Sequence, residues 1–318
     1  MNHPVRQLYI LALLVALAFC AALMFGASFQ SPVAIWHGLA TQNFDIWEYR
    51  LPRAILAIFI GAALALSGTI IQGIVHNPLA SPDILSINHG ASLAAVLLLS
   101  FIPGVSVWML PLAACVGAAL AFVMLVAICG RRTGPLQMAL IGVALSAFYA
   151  AITDYLMLTS PLEINTAVLW LTGSLWGRSW TFVQVAIPLL ILLIPLAIFH
   201  SKTFDLLTLG DAKAATLGVN VPRERLFLLA LAVLLAAVAV AVAGPIAFLG
   251  LVAPHLARKI IGGRHLYLLP AAMLTGALIL QLSDIAVRSI DPPLELPAGI
   301  FTALIGAPYF FYLLRRSL

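Results

Sequence analysis

The sequence predicts an all-α protein that crosses a membrane about ten times. Three observations predict it: 63% of the 318 residues are hydrophobic, only 8% are charged, and the mean hydropathy is +1.12. A soluble domain carries about a quarter charged residues, because its exterior must stay hydrated. This chain has no such exterior to offer, so its solvent is the bilayer. The same figures exclude other classes. Disorder, collagen and disulfide scaffolds need compositions that are absent here. The 16 Lys and Arg residues lie scattered between apolar runs, not gathered as a nucleic-acid patch.

A helix needs about 20 apolar residues to cross the hydrocarbon core, so windows without charge mark the spans. Leu8 to Ser28 gives the first. A signal peptide is the alternative reading, but the run is too long for an h-region, lacks a small-x-small site, and has Phe19 directly before Cys20. A second window opens at Ala54, with its helix ending near Val75. Ile84 to Gly130 is too long for one span and is broken at Pro103 and Gly104, so it holds two. Thr133 to Thr153 and Ser179 to Ser201 are single spans. Leu226 to Ala257 is interrupted at Gly244 and Pro245 and divides again, and His265 to Ser283 and Leu296 to Leu314 complete the set.

Ten spans place both termini on one side, and lysine and arginine mark which side it is. That side collects Arg6, Arg131, Arg132, Lys202, Lys213, Arg223, Arg225, Arg258, Lys259, Arg264, Arg315 and Arg316. The other receives only Arg50, Arg53, Arg178 and Arg288. Both termini are therefore expected in the cytoplasm. The one sizeable cytoplasmic loop, residues 202–225 within this single membrane domain, predicts a short helix behind Gly210 and Asp211 that stops at Gly218 before Pro222. A solvated connector and a docking helix both fit it. On the outside, Leu51-Pro52 with Ile60-Gly61-Ala62 is echoed by Leu296-Pro297 with Ile305-Gly306-Ala307, as two related halves of a transporter would be.

The chemistry available is sparse. A P-loop requires Gly-Lys, and Lys202, Lys213 and Lys259 follow Ser, Ala and Arg, so the chain does not bind ATP that way. HExxH and GxSxG are absent. Cys20, Cys115 and Cys129 are odd in number and without CxxC spacing, which signals neither a disulfide framework nor a zinc site. Asp154 and Asp284 fall near outer helix ends and Asp83 in an inner loop; interfacial capping or pairing is the expected role, against an ion pathway. His76, His89 and His255 stand at unrelated spacings, which favours ordinary polar residues over iron ligands. Helix-breaking runs at His76–Asp83, Gly244-Pro245, Pro254-His255 and Asp291–Pro297 need a cover of protein or a water-filled cavity.

These same stretches resemble the permease family of binding-protein-dependent ABC importers for ferric siderophores, haem and cobalamin. The matching segments are Tyr49–Arg53, Gly61–Gly68, Asn77–Leu85, Gly142–Leu145, Trp170–Leu175, Leu209–Ala212 with Leu217–Val219, Gly244–His255 and Glu295–Gly299, in family order along nearly the whole chain. The resemblance implies a type II importer permease in the bacterial inner membrane, with two permease subunits around a central path. It further implies a cytoplasmic ATP-binding subunit that does the hydrolysis, an external binding protein, and neither a cofactor nor a metal site in this chain. On that mapping Gly210, Asp211, Ala212 and Gly218 seat in a cleft of the ATPase. Arg50, Arg53 and Arg288 occupy positions that receive glutamates of the binding protein; lipid headgroups, or pairing with Glu48, Asp291 and Glu295, are the alternative. Asn77 and Leu79 fall at the inner gate, facing the Thr133–Gln137 turn, with the path along the fifth and tenth spans.

Within the family, Asp154–Leu158, Trp170–Trp180 and Pro292–Pro297 look like the smaller permease subunit of ferric citrate importers. That likeness implies a heterodimer of related permeases, a homodimer remaining open, and ferric citrate as cargo. Another ferric siderophore, haem or cobalamin is the alternative cargo. A secondary carrier working alone and a polytopic enzyme are the alternative classes.

Overall fold

The computed structural model describes residues 3–83, 85–102, 105, 109–130, 135–159, 164–290 and 296–317. Every regular element among them is helical. In order these are α1 (His3–Met24), α2 (Pro32–Ala40), a π-helical segment (Phe44–Arg50) running straight into α3 (Leu51–Val75), α4 (Ile87–Phe101), α5 (Met109–Cys129), α6 (Pro135–Thr159) and α7 (Ile164–Leu171). Then follow α8 (Trp180–Phe199), α9 (Ser201–Leu207), α10 (Asp211–Thr216), α11 (Val221–Ala243), α12 (Leu249–Ile261), α13 (His265–Ile290) and α14 (Ala298–Ser317). Ten of them fill the ten windows: α1, α3, α4, α5, α6, α8, α11, α12, α13 and α14. Seven, α4, α12 and α14 excepted, are long and apolar enough to cross a membrane unaided.

Hydrogen bonds fix the two faces. Arg50 at the start of α3 and Arg288 near the end of α13 both reach the last carbonyls of α1. At the other end, residues flanking α3 and α13 reach α9. One face thus carries the start of α1 with α9 and the adjoining α10, here called the terminal face; the opposite face carries the end of α1 and the π-helical segment with α2 packed on it.

α3 and α11 form the interior. Both are apolar all round, and 83% and 78% of their spanning windows are buried, against 28–33% for α1, α5, α6 and α8. A helix that is apolar on every side and two-thirds open has lipid as its neighbour. In hydrocarbon, close backbone approach replaces the hydrophobic effect as the source of helix association. At Gly61 an added Cβ would stand 2.5 Å from the Gly276 carbonyl oxygen of α13, and at Gly68 it would run into the Gly250 carbonyl of α12.

α12 has 13 residues, about 20 Å of helix, and starts at the depth of Gly68. Gln72 confirms that level by donating to the Leu251 carbonyl at 3.3 Å. The segment 244–248 before it is non-helical, with Gly244 and Ile246 buried and the rest half-buried. Its backbone is covered by two other chain breaks: Ser174 N–H donates to Ala243 O (2.7 Å) and Gly299 N–H to Gly173 O (2.9 Å). Gly173 (φ +70°) and Gly244 (φ +73°) make the turns. The junction provides the protein cover that irregular backbone at membrane depth requires.

Candidate functional site

The terminal face presents the 202–225 loop as two short helices at an angle. Gly210 (φ +94°) and Gly218 (φ +87°) bracket α10. Nothing lies within 4 Å of where their Cβ atoms would be. Conformation, not space, requires glycine there. Ala214 is buried under the loop while Asp211, Ala212 and Lys213 face outward, flanked by Leu209 and Leu217 at 51% and 58% exposure. Asp211 starts α10 and pairs with Arg225 at 2.6 Å, a carboxylate placed where the helix dipole favours it. An exposed helix with apolar shoulders suits a cleft in another protein.

Beneath this loop, α9 is bonded to the interior. Asp205 Oδ1 accepts the main-chain N–H of His265 (2.9 Å) and pairs with its Nδ1 (2.7 Å). The His265 ring stacks on Phe204 with centroids 5.4 Å apart. His76, which ends α3 with φ +55°, places Nε2 3.1 Å from the Leu207 carbonyl. Sequence reasoning gave none of these three residues a role at this loop, because the partners stand 60 and 131 positions apart.

The opposite face carries the three arginines expected to meet a binding protein. Arg50, Arg53 and Arg288 are buried within the chain, at 4%, 1% and 2% exposure. Arg50 pairs with Asp45 (3.1 Å) and donates to Leu23 O, Met24 O and Ser28 O, while Arg288 donates to Ala22 O. The last carbonyls of a helix lack partners within it, and these two guanidinium groups supply donors at the negative end of the α1 dipole. Arg53 grips Asp284 with Nε (3.0 Å) and Nη2 (2.9 Å) and donates to Tyr49 Oη, and Arg288 closes on Asp284 from the other side at 3.2 Å. Among the described residues the acceptors include Asp45, Asp284, the Tyr49 and Ser28 hydroxyls and main chain; Asp291 and Glu295 lie outside the described residues. Arg178 rests on the Phe182 ring at 4.7 Å, and burial pushes its guanidinium down to about 10.

At the terminal end of α3, Asn77 is exposed and its Oδ1 accepts the Leu79 N–H (2.9 Å), holding Leu79 half-buried. Of the Thr133–Gln137 turn expected to face them, residues 133–134 lie outside the described residues. The following segment is anchored on α6, where Ser146 donates to the Asp83 carbonyl (2.9 Å). Asp83 is partly buried, and the loss of water pushes its carboxyl up against the pull of His89 and Asn88. His76, His89 and His255 sit apart, His255 edge-on to Tyr309; among the described residues no three His, Cys, Asp or Glu gather as a ligand set. A cavity of about 180 Å³ between α12, α13 and α14 is lined by Phe248, Val252, Leu282, Phe301 and Ile305.

Apolar helices packed around an interrupted interior, with a short exposed helix on one face, define a polytopic membrane protein. Residues 13–316 match the FecCD transport family, and the chain belongs to that family. It is 52% identical over 306 residues, 95% of this chain and 96% of the relative, to the Fe(3+) dicitrate transport system permease protein FecD of Escherichia coli K12. It is 44% identical, over 99% of this chain and 96% of the relative, to the Fe(3+)-citrate import system permease protein YfmE of Bacillus subtilis 168. Among solved structures it resembles an inward-facing metal-chelate type ABC transporter with a TM-score of 0.89 and 31% identity, covering 98% of this chain and 99% of that one.

Proposed function

We propose that this chain is the permease subunit through which an ABC importer passes ferric citrate from a periplasmic binding protein into the cytoplasm. The observation that carries the reading is the full-length likeness to two ferric citrate permeases, joined to a loop face built for a protein partner. The protein sits in the bacterial inner membrane with both termini in the cytoplasm, which the distribution of lysine and arginine supports. A second, related permease completes the path, and a separate ATP-binding subunit binds and hydrolyses ATP, since this chain carries no Gly-Lys of a P-loop. The exposed α10, with Gly210, Asp211, Ala212 and Gly218, is the surface assigned to that subunit. Asn77 and Leu79 narrow the inner end of the path. Arg53 and Arg288 are assigned to holding α3, α13 and α1 together instead of to docking.

The test is uptake of iron-labelled ferric citrate by cells whose own ferric citrate permeases are deleted and which receive this chain with its partner subunits. Uptake should appear, vanish when the ATPase is inactivated, and be competed by unlabelled ferric citrate but not by cobalamin, haem or a ferric hydroxamate. Competition by one of those instead would reassign the cargo. Uptake in vesicles driven by an ion gradient without the ATPase would overturn the class.

A further inference from the structure

The loop assigned to the ATPase must move something inside the membrane, and α9 has three hydrogen bonds through which to do it. Asp205 places one carboxylate oxygen on both the main-chain N–H and the Nδ1 of His265, the first residue of α13. An anion at the start of a helix meets unsatisfied N–H groups and the positive end of the dipole. His265 is 2% exposed, its ring is stacked on Phe204, and its Nε2 faces Gly73 of α3, where an added Cβ would stand 3.7 Å away. On the same short helix the Leu207 carbonyl meets His76 at the end of α3.

α3 and α13 are in turn joined along their length. Their backbones meet at Gly61 and Gly276, and Arg53 grips Asp284 near the opposite face. From His265 to Asp284 is about 29 Å of helix at 1.5 Å per residue. Close-packed elements shift as bodies and do not deform smoothly, so a displacement at the clasp reaches the far end of the pair.

We infer that Asp205 and His265 are positioning residues for transport: they form the clasp by which movement of the α9–α10 loop enters the α3–α13 pair. This rests on the reading of that loop as the ATPase-contacting surface. The test uses the complete transporter in liposomes, with binding protein and ferric citrate inside reach of it, and measures both iron uptake and ATP hydrolysis. Loss of a charge-assisted bond of this kind is expected to lower iron delivered per ATP about tenfold in Asp205→Ala. Asp205→Glu should restore a substantial part of the ratio. The double variant Asp205→Ala with His265→Gln should be no worse than the more severe of the two single variants, as for residues sharing an interaction.

A purely architectural role predicts something different: less assembled transporter, but an unchanged amount of iron per ATP in what assembles, and that result overturns the inference. Should Asp205→Ala fail to assemble, Asp205→Asn, which keeps the shape and an acceptor oxygen, decides the matter by the same ratio. If the unaltered transporter itself shows no ATP-dependent uptake, the functional reading fails and not the clasp alone.

Discussion

Arg53 and Asp211 look alike in the sequence, each a lone charge beside a membrane segment, yet they are opposite cases in physical terms. Arg53 and Asp284 are each 2% exposed at the side chain and are locked together. Removing one partner of such a pair strands the other in a medium that cannot solvate it, at a cost of about 3–5 kcal/mol. Asp211 is half-exposed against Arg225, where a pair contributes about 0–1 kcal/mol. Asp284→Ala is therefore expected to lower the thermal midpoint of the detergent-purified protein sharply, and Asp211→Ala to leave it nearly unchanged while transport falls. Thermal unfolding followed by tryptophan fluorescence, beside uptake, checks both. A stable Asp284→Ala would remove the internal role of the arginines and reopen docking.

Among the elements, glycine serves two ends that its spacing alone does not separate. Gly68 lies where α3 crosses α12, with the Gly250 carbonyl where a Cβ would go, whereas Gly210 has open space and a φ of +94°. Gly68→Ala must force two buried helices apart, an overpacking cost of about 1–3 kcal/mol. Gly210→Ala meets only backbone strain, about 1–3 kcal/mol for a φ/ψ region (+94°, +155°) that is essentially glycine's alone, confined to a surface turn. The first is expected to reduce the folded yield in membranes, the second to spare yield and reduce ATP-coupled uptake; yield measured by size-exclusion profile against uptake per molecule distinguishes them. The windows without charge located all ten crossing helices, because the bilayer leaves a strong imprint on composition. They did not show that α12 is short, since Leu226 to Ala257 is equally apolar on both sides of Gly244. Nor could they show Asp205 with His265, or Arg53 with Asp284, because pairing across 60 and 231 positions leaves no local pattern. The bracketing glycines of α10 were legible because a left-handed turn restricts the residue type at that very position.

For the whole molecule, the arrangement of charge and the arrangement of helices make one joint prediction. Between α2 and α10 the chain passes through α3, α4, α5, α6 and α8. Five crossings put α2 and α10 on opposite sides of the membrane. In the proposed orientation the excess of Lys and Arg puts the terminal face in the cytoplasm, and the exceptions on the other face are held by Asp45, by Asp284 and, for Arg178, by the Phe182 ring. Trp36 on α2 is 76% exposed and Lys213 on α10 is exposed in the isolated chain, so each is expected to meet a water-soluble thiol reagent once replaced by cysteine, Lys213→Cys in membranes without the ATPase. With Cys20, Cys115 and Cys129 changed to alanine, Trp36→Cys should label in spheroplasts and Lys213→Cys only in inside-out vesicles. Labelling of both from one side would break the count of five crossings. Labelling with the sides exchanged would keep the count and reverse the orientation, which would place α10 out of reach of any cytoplasmic ATPase.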